Sequence, residues 1–215
     1  MRLRLLNREE YHFVKKEDPF PYYFWPFFGA LFRKRIEMCL AECTGGERVL
    51  EIGFGSGISF LNLGELYDEI HGIDSTAVIT ETQTLFRSKG INLFLQRGTV
   101  SDIKYPDQSF DSIVLVSVLE HLKPVELEGA FLEMDRVLKP GGQIIYGVPY
   151  HRLLMSIAFF SLLGYSIRRH HHSTEKDIFN IAKNKFFLKS RKNIYSISRL
   201  LGPVYNVCDF IKLGL

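Results

Sequence analysis

The sequence predicts an α/β fold in which helices cover both faces of a doubly wound, mainly parallel sheet. Three observations support this prediction: short apolar runs recur along residues 47–149, helix-like segments separate them, and a glycine-rich turn follows the first run. Strands covered on both faces read as short, nearly continuous apolar runs. Parallel neighbours need a crossover between them, so alternating strands and helices indicate a parallel sheet.

The predicted elements follow from this pattern. Each apolar run is long enough for a buried strand and too short for an independent helix. The predicted strands are residues 48–52, 69–73, 92–96, 112–116 and 143–148. The predicted helices between them are 58–67, 78–89 and 125–138, the last ending at a Lys-Pro-Gly-Gly turn. After residue 189 we expect one more strand, a shortened or altered final hairpin and an amphipathic tail over 194–215.

The first 46 residues are predicted to cover the domain that begins at residue 47. Residues 19–28 are mostly aromatic and include three prolines, which disfavour a helix and favour an extended segment. A helix is expected over 29–43, where apolar residues recur at helical spacing. The main domain, residues 47–215, is predicted to carry an apolar insertion at about 151–175, and a further helix is expected to begin near Glu175 after a cap at Ser173 or Thr174.

The composition indicates a packed globular protein of the cytoplasm. Of its 215 residues, 46% are hydrophobic and 24% are charged, which excludes a disordered chain. The three cysteines, Cys39, Cys43 and Cys208, fit neither a disulfide framework nor a zinc spacing. No signal-peptide core is evident, and no apolar run reaches the roughly 18 residues that a membrane span needs.

The charge is unevenly distributed along the chain. Residues 1–150 contain 16 Lys and Arg against 21 Asp and Glu, whereas residues 151–215 contain 11 against 3. A basic segment is suited to phosphate, nucleic acid or an anionic membrane surface, and it is equally common as a solvated face with no partner. Peripheral membrane contact is therefore an alternative to a purely cytoplasmic location.

A glycine-rich turn carries the clearest functional signal. The apolar strand at 49–52 runs into Gly53, Gly55 and Gly57, spaced G-x-G-x-G, and position 58 is Ile. A nicotinamide-dinucleotide fingerprint would place a glycine there, so the turn departs from that pattern. Asp74 ends the next strand, where a carboxylate can accept both hydroxyls of an adenosine ribose. The alternative role for Asp74 is a helix N-cap.

With three further motifs, this segment resembles the class I S-adenosylmethionine (SAM)-dependent methyltransferases, particularly the broad family that includes quinone-biosynthesis methyltransferases. The further motifs are residues 98–111, 117–122 and 133–142, in the order and at the spacing of that family. The resemblance covers about residues 47–149. It implies a Rossmann-like fold, SAM as cofactor and methyl transfer to an acceptor.

The resemblance implies cofactor contacts at the ends of four strands. Glu51 and the 53–57 turn would hold the methionine end of SAM, and Asp74 would hold the ribose. Thr99 stands where many relatives have an Asp that faces the adenine, so that contact would be weaker or supplied by Asp102. The complete predicted cofactor set is Glu51, Gly53, Phe54, Gly55, Gly57, Asp74, Ser75, Thr99, Val100, Ser117 and Val118.

His121 is the candidate catalytic residue. It follows the fourth strand at the mouth of the predicted site and could accept a proton from the acceptor. Its alternative role is a hydrogen bond that orders the loop. Some relatives carry Glu-x-x-Glu-His and bind a metal, but Ser117 replaces the first Glu here, so no metal is predicted. A weak site of Glu120, His121 and one of the histidines at 170–172 is a minor alternative.

The preferred function is methyl transfer to a small-molecule or lipid-like acceptor. The apolar segment 153–164 would form either a buried helix or, with Arg168 and Arg169 beside it, an apolar acceptor pocket or membrane-contacting lid. The second hypothesis is a nucleic-acid or protein methyltransferase. The basic C-terminal part favours it, but no Asn-Pro-Pro-Tyr-type base-flipping motif follows the fourth strand, so nucleic acid is disfavoured. The third hypothesis is a noncatalytic SAM-binding module. The sequence leaves the oligomeric state open.

Overall fold

The computed structural model describes residues 1–15, 18–26, 29–150, 171–195 and 202–214. These residues form seven strands: β1 (Gly46–Ile52), β2 (Tyr67–Asp74), β3 (Leu93–Arg97), β4 (Phe110–Val116), β5 (Leu138–Pro149), β6 (Phe187–Tyr195) and β7 (Pro203–Ile211). They also form five α-helices: α1 (Gly29–Leu40), α2 (Phe60–Leu63), α3 (Ile79–Ser88), α4 (Pro124–Val137) and α5 (Glu175–Lys185). Short 3-10 helices lie at Arg8–Tyr11, Phe20–Phe24 and Leu119–His121.

The described strands form one sheet in the order β3-β2-β1-β4-β5-β7-β6. The first five strands are parallel to their neighbours, and β7 runs antiparallel between β5 and β6. The chain therefore has the predicted α/β, Rossmann-like, mainly parallel sheet. All five predicted parallel strands are confirmed, as are the helices that correspond to α1, α3, α4 and α5.

The sheet is covered on both faces because successive strand residues point to opposite sides. Val49 and Leu50 are both fully buried, yet they belong to different hydrophobic clusters. The cluster around Val49 contains residues of α1, α2 and α3, and the cluster around Leu50 contains residues of α4 and α5. This pattern is typical of a central strand in a parallel sheet.

Two predictions about the first part of the chain are wrong. The helix expected over 58–67 is only the single turn α2, which ends before Gly64, and Tyr67 already pairs with Gly46 as the first residue of β2. The aromatic run is not extended, since Phe20–Phe24 forms a 3-10 helix. Pro21 lies in the first turn of this helix, where backbone N–H groups have no acceptor within the helix, so the N–H that proline lacks is not needed.

The prediction of a shortened hairpin and an amphipathic tail is also wrong. β6 and β7 each span nine residues and pair along their length. Residues 204–210 are all buried because β7 lies between two other strands, so this segment lacks an amphipathic alternation. In β6, a register shift between Leu188 and Ser190 interrupts the alternation that would have marked the strand.

The N-terminal residues share the core of the sheet. Leu3, Tyr11, Phe20 and Tyr23 are buried in the same cluster as Phe60. Most of the predicted apolar insertion, including residues 153–164, Arg168 and Arg169, lies outside the described residues. Within the described ranges, no helix is long and apolar enough to span a bilayer.

Candidate functional site

The candidate site lies where the strand order reverses, between β1 and β4. In open α/β sheets, ligands bind outside the carboxyl ends of the strands at such a switch point. Three backbone contacts bring the strand ends together here. Gly53 N–H donates to Ile73 O at 2.8 Å, and Gly98 N–H donates to Asp74 O at 3.2 Å. The ends of β1, β2 and β3 are thereby joined, and Ser117 N–H donates to Gly147 O at 2.8 Å to join β4 to β5.

Three glycines of the turn after β1 have left-handed backbone conformations. Their φ angles are 74° at Gly53, 51° at Gly55 and 72° at Gly57. A side chain at Gly53 would collide with Val118, and one at Gly57 would collide with Phe60. A Cβ at Gly55 would lie 2.7 Å from a carboxylate oxygen of Asp18. Gly53 and Gly57 are therefore needed for packing, whereas Gly55 faces a polar group from the N-terminal segment.

The Asp74 carboxylate ties the turn to the loop after β2. Its Oδ2 accepts from Gly55 N–H at 2.9 Å, and its Oδ1 accepts from the N–H groups of Thr76 and Ala77 at 2.7 and 2.8 Å. The N-cap of α3 is Val78, so the N-cap alternative for Asp74 is wrong. A carboxylate has about four acceptor positions. Because Oδ2 accepts from a single described donor, it can still receive a ribose hydroxyl.

Glu51 lies near the end of β1, just before the turn, and is almost fully buried. Ser59, just before α2, donates its hydroxyl to Glu51 Oε2. Burial raises the pKa of Glu51 to about 7, the Ser59 hydrogen bond opposes that rise, and the nearby Asp74 charge adds to it. Glu51 therefore links the end of β1 to Ser59, just after the turn, and lies close to Asp74.

The remaining predicted cofactor residues differ in what they can offer. The Phe54 ring packs against Phe60 at 5.6 Å between centroids, so only its backbone is available to a ligand. Val100 is buried, whereas Ser75 and Thr99 are exposed. Asp102, the alternative adenine partner, is also exposed, and its carboxylate pairs with Lys104 at 2.6 Å.

The end of β4 carries a second polar group of residues. Ser117 has a left-handed φ of 58°, and its hydroxyl lies 3.0 Å from the Tyr205 hydroxyl and accepts from Arg35 Nη1 at 3.3 Å. Glu120 is fully buried, and one of its carboxyl oxygens has no hydrogen-bond partner among the described residues. Burial raises the pKa of Glu120 to about 8, while its own backbone N–H, the Arg35 charge and Ser117 lower it.

His121 is exposed and lies beside His171. Their rings are 5.0 Å apart between centroids and nearly perpendicular. Ligand atoms of Glu120, His121 and His171 lie within 4.8 Å of one another, and a carboxylate with two imidazoles is a common ligand set for divalent metals. The structure thus brings together the three residues of the weak metal site that the sequence offers as a minor alternative. The prediction that the protein binds no metal stays a prediction.

The rest of the histidine run supports the loop. His172 N–H donates to Glu120 O at 2.7 Å, and the Ser173 hydroxyl donates to Leu122 O at 2.7 Å. Thr174 caps α5 through a reciprocal pair of hydrogen bonds with Asp177. Of the two predicted caps, Ser173 and Thr174, the second is therefore confirmed. His170 lies outside the described residues.

Three residues near the site were missed from the sequence: Asp18, Arg35 and Tyr205. The Asp18 carboxylate lies 3.4 Å from the Ser56 hydroxyl, and burial raises its pKa to about 6. Nothing local to these residues marks them, because each reaches the site from a distant part of the chain. A cavity of about 430 Å³ beside the turn is lined by residues that include Asp18, Gly55, Thr76 and Val78.

Sequence comparison matches the central part of the chain to a known domain. Residues 50–146 match the family model of a methyltransferase domain. The uncharacterized methyltransferase YcgJ of Bacillus subtilis is 36% identical over 107 residues, which are 49% of this chain and 42% of that protein. A demethylmenaquinone methyltransferase of Tropheryma whipplei is 30% identical over 121 residues, which are 52% of this chain and 49% of that protein. The chain spans less than half the length of these two relatives.

Structural comparison extends beyond the matched domain. The N-methyltransferase NodS from Bradyrhizobium japonicum, solved in complex with S-adenosyl-L-homocysteine, aligns with a TM-score of 0.68. The alignment covers 95% of this chain and 95% of the NodS chain at 18% identity. At that identity the likeness establishes a shared fold.

Proposed function

We propose that this chain is a class I SAM-dependent methyltransferase and that it transfers a methyl group from SAM to a small-molecule or lipid-like acceptor. SAM is the proposed cofactor. The sulfonium of SAM already activates the methyl group, so the protein needs chiefly to align donor and acceptor and to exclude water. The cofactor residues predicted from the sequence are proposed as its contacts, with Phe54 contributing through its backbone.

One observation carries this proposal. The turn after β1 is bound to Asp74 through Gly55 N–H and abuts Val118 after β4, so the glycines, the Asp74 carboxylate and the end of β4 lie next to one another. They lie at the switch point of the sheet, where a crevice that binds a nucleoside ligand is expected. NodS, which shares this fold, was solved with S-adenosyl-L-homocysteine, the product that SAM leaves after transfer.

The acceptor class is proposed from the relatives. One sequence relative acts on demethylmenaquinone and another is a sterol 24-C-methyltransferase, and both substrates are apolar molecules. A nucleic-acid or protein acceptor is less well supported, because several basic side chains of the C-terminal part already have partners. Lys189 pairs with Asp209 at 3.0 Å, Lys192 pairs with Glu42, and Arg191 lies over the Phe179 ring at 4.2 Å.

His121 is proposed as the residue that accepts the acceptor's proton. It is exposed at the end of β4, and its ring lies next to that of His171. An exposed imidazole at the end of β4 can reach a bound acceptor and accept its proton. The alternative remains that His121 orders the loop, since its N–H donates to Val118 O at 3.0 Å.

A cytoplasmic location with peripheral contact to an anionic membrane is proposed from the sequence alone. Sedimentation with phosphatidylserine vesicles checks the contact. Binding that weakens as salt is raised supports it, because screening reduces the attraction between lysine or arginine and anionic lipid. Equal recovery with neutral and anionic vesicles would contradict it.

Methyl transfer itself is tested with labelled SAM. The purified protein is incubated with the donor and an extract of the host's small molecules and lipids, and mass spectrometry identifies compounds that gain the labelled methyl group. A labelled quinone-like or lipid product supports the proposal. Label found only in RNA or protein would favour the second hypothesis, and SAM binding with no labelled product from any fraction would favour a noncatalytic module.

A further inference from the structure

We propose that a second copy of this chain docks on the outer surface of α4 and α5, so that the protein forms a twofold dimer. This α4–α5 surface consists of Val125, Glu128, Gly129 and Leu132 of α4 and Lys185 of α5. The inference is independent of the proposed methyl transfer, because none of these residues is among the proposed cofactor contacts or is the proposed proton acceptor.

An apolar stripe on α4 is exposed. Val125 exposes 84% of its surface and Leu132 exposes 55%. They lie on either side of Gly129 at a spacing of four and three residues, so all three occupy one face of the helix. A groove of about 280 Å³ beside Leu132 is lined on its other side by residues of α5 that include Ile181 and Lys185. Apolar side chains grouped beside an open groove are typical of a surface that binds another protein.

Gly129 is not explained by the packing of the single chain. It lies inside α4, where glycine is one of the least favourable residues, and a Cβ added to it would meet no atom of the described residues within 4 Å. The absence of a side chain allows a second backbone to approach the helix closely. The open space over Gly129 therefore fits a second helix that crosses α4 at this position.

The stripe is complementary to itself. In two antiparallel copies of α4 related by a twofold axis between residues 128 and 129, Val125 of each copy faces Leu132 of the other, because both are equally far from the axis. Gly129 then lies beside the axis, where the two backbones are closest. The same residues thus form both halves of the interface, which favours a second copy over an unrelated protein.

The charges beside the stripe are complementary in the same arrangement. Glu128 and Lys185 are both exposed and line the same groove, and neither forms an ion pair within the part of the chain that the structure describes. Both lie near the proposed axis, so the carboxylate of each copy can pair with the ammonium group of the other. Two large apolar side chains per copy are few for an obligate dimer, so we expect a dimer that dissociates on dilution.

Sedimentation velocity at increasing protein concentration tests the dimer. The wild type should shift reversibly from monomer to dimer. Leu132→Gln and Gly129→Gln should each weaken self-association about tenfold or more, because the first removes an apolar contact and the second holds the backbones apart. The matched control is Phe94→Gln, which changes an exposed apolar residue on β3 at the edge of the sheet and should dimerise like the wild type.

Folding of the variants is checked by circular dichroism and thermal melting. At concentrations where both proteins are monomeric, Gly129→Gln should melt at a higher temperature than the wild type, because a glycine is removed from the interior of a helix. A variant that is more stable and yet dimerises less separates the contact between copies from the stability of the single chain.

A mixing experiment tests the contact between copies directly. Glu128→Lys and Lys185→Glu should each dimerise weakly alone, because like charges then face each other across the axis. An equimolar mixture of the two variants should dimerise at least as strongly as the wild type, since the charges of one copy then oppose those of the other. The proposal is overturned if the wild type stays monomeric throughout, if its dimer is unaffected by Leu132→Gln and Gly129→Gln, or if mixing the charge variants gives no gain.

Discussion

Asp74 holds the turn after β1 and the loop after β2 at the same time. Its two oxygens accept four hydrogen bonds from the described residues, and Oδ2 takes only the one from Gly55 N–H. Asp74 thus has two possible roles: its Oδ2 can bind a ribose hydroxyl, and its Oδ1 holds the loop after β2. A variant of Thr76 separates these roles, because Thr76 contacts only Oδ1.

Asp74→Ala is expected to weaken SAM binding by about 1.5–3 kcal/mol through the loss of charge-assisted hydrogen bonds to the ribose. The control is Thr76→Val, which removes only the 3.2 Å bond between the Thr76 hydroxyl and the same carboxylate. Calorimetry should show a much smaller loss for the control. The ribose assignment fails if both variants bind SAM with the wild-type affinity.

Gly55→Ala combines two penalties. A left-handed conformation costs a non-glycine residue about 1–2 kcal/mol, and the new Cβ would lie 2.7 Å from Asp18 Oδ2. Gly90→Ala is the matched control, because Gly90 has a φ of 82° with nothing within 4 Å of an added Cβ. Both variants should lose stability in urea unfolding, but only Gly55→Ala should also lose SAM affinity. Equal affinity in the two variants would limit Gly55 to a backbone role.

The pKa of Glu51 makes a prediction about stability. Burial raises this pKa from 4.5 to about 7, so the folded state binds more protons than the unfolded state between those values. The contribution of Glu51 to stability therefore decreases as the pH rises from about 4.5 to 7, and it is constant above that range. Glu51→Gln should gain stability relative to the wild type across the same range in urea unfolding. A constant difference between pH 4.5 and 7 would contradict the burial argument.

The elements show which parts of the architecture can be predicted from local patterns. The parallel strands could be predicted because each is a short apolar run between helix or turn signals. The single turn α2 and the β6–β7 hairpin could not. Their form depends on partners far along the chain, namely the pairing of Tyr67 with Gly46 and the position of β7 between β5 and β6.

The site likewise contains residues that a local pattern predicts and residues that only distant contacts bring to it. The glycines and Asp74 follow strands, so a strand pattern places them at one edge of the sheet. Asp18, Arg35 and Tyr205 reach that edge from the N-terminal segment, α1 and β7, and only the folded chain brings them together.

Phe60 tests the packing of α2 beneath the turn. Its ring is fully buried, lies 5.2 Å from Phe86 between centroids and fills the space next to Gly57. Phe60→Ala should lower the free energy of unfolding by about 3–5 kcal/mol in urea, because it leaves a cavity in a closely packed core. Phe187→Ala on the exposed edge of β6 should change it by less than about 0.5 kcal/mol. Similar losses in both would show that the turn does not depend on this core.

In the molecule as a whole, the N-terminal segment and the sheet cannot be treated as independent layers. The predicted boundary at residue 47 separates two segments of one hydrophobic cluster, and the first segment brings Asp18 to the turn and Arg35 to β4. The glycines, Asp74 and the end of β4 are adjacent at the point where the strand order reverses. The proposed function therefore requires that the cofactor binds at this edge of the sheet.

Calorimetric titration of the wild-type protein with S-adenosylhomocysteine, with a nicotinamide dinucleotide as the comparison ligand, examines this most directly. We predict saturable binding of one S-adenosylhomocysteine per chain and no measurable heat from the dinucleotide, because Ile58 replaces the glycine that the dinucleotide fingerprint requires. Binding of the dinucleotide without S-adenosylhomocysteine, or of neither ligand by a folded protein, would contradict the account.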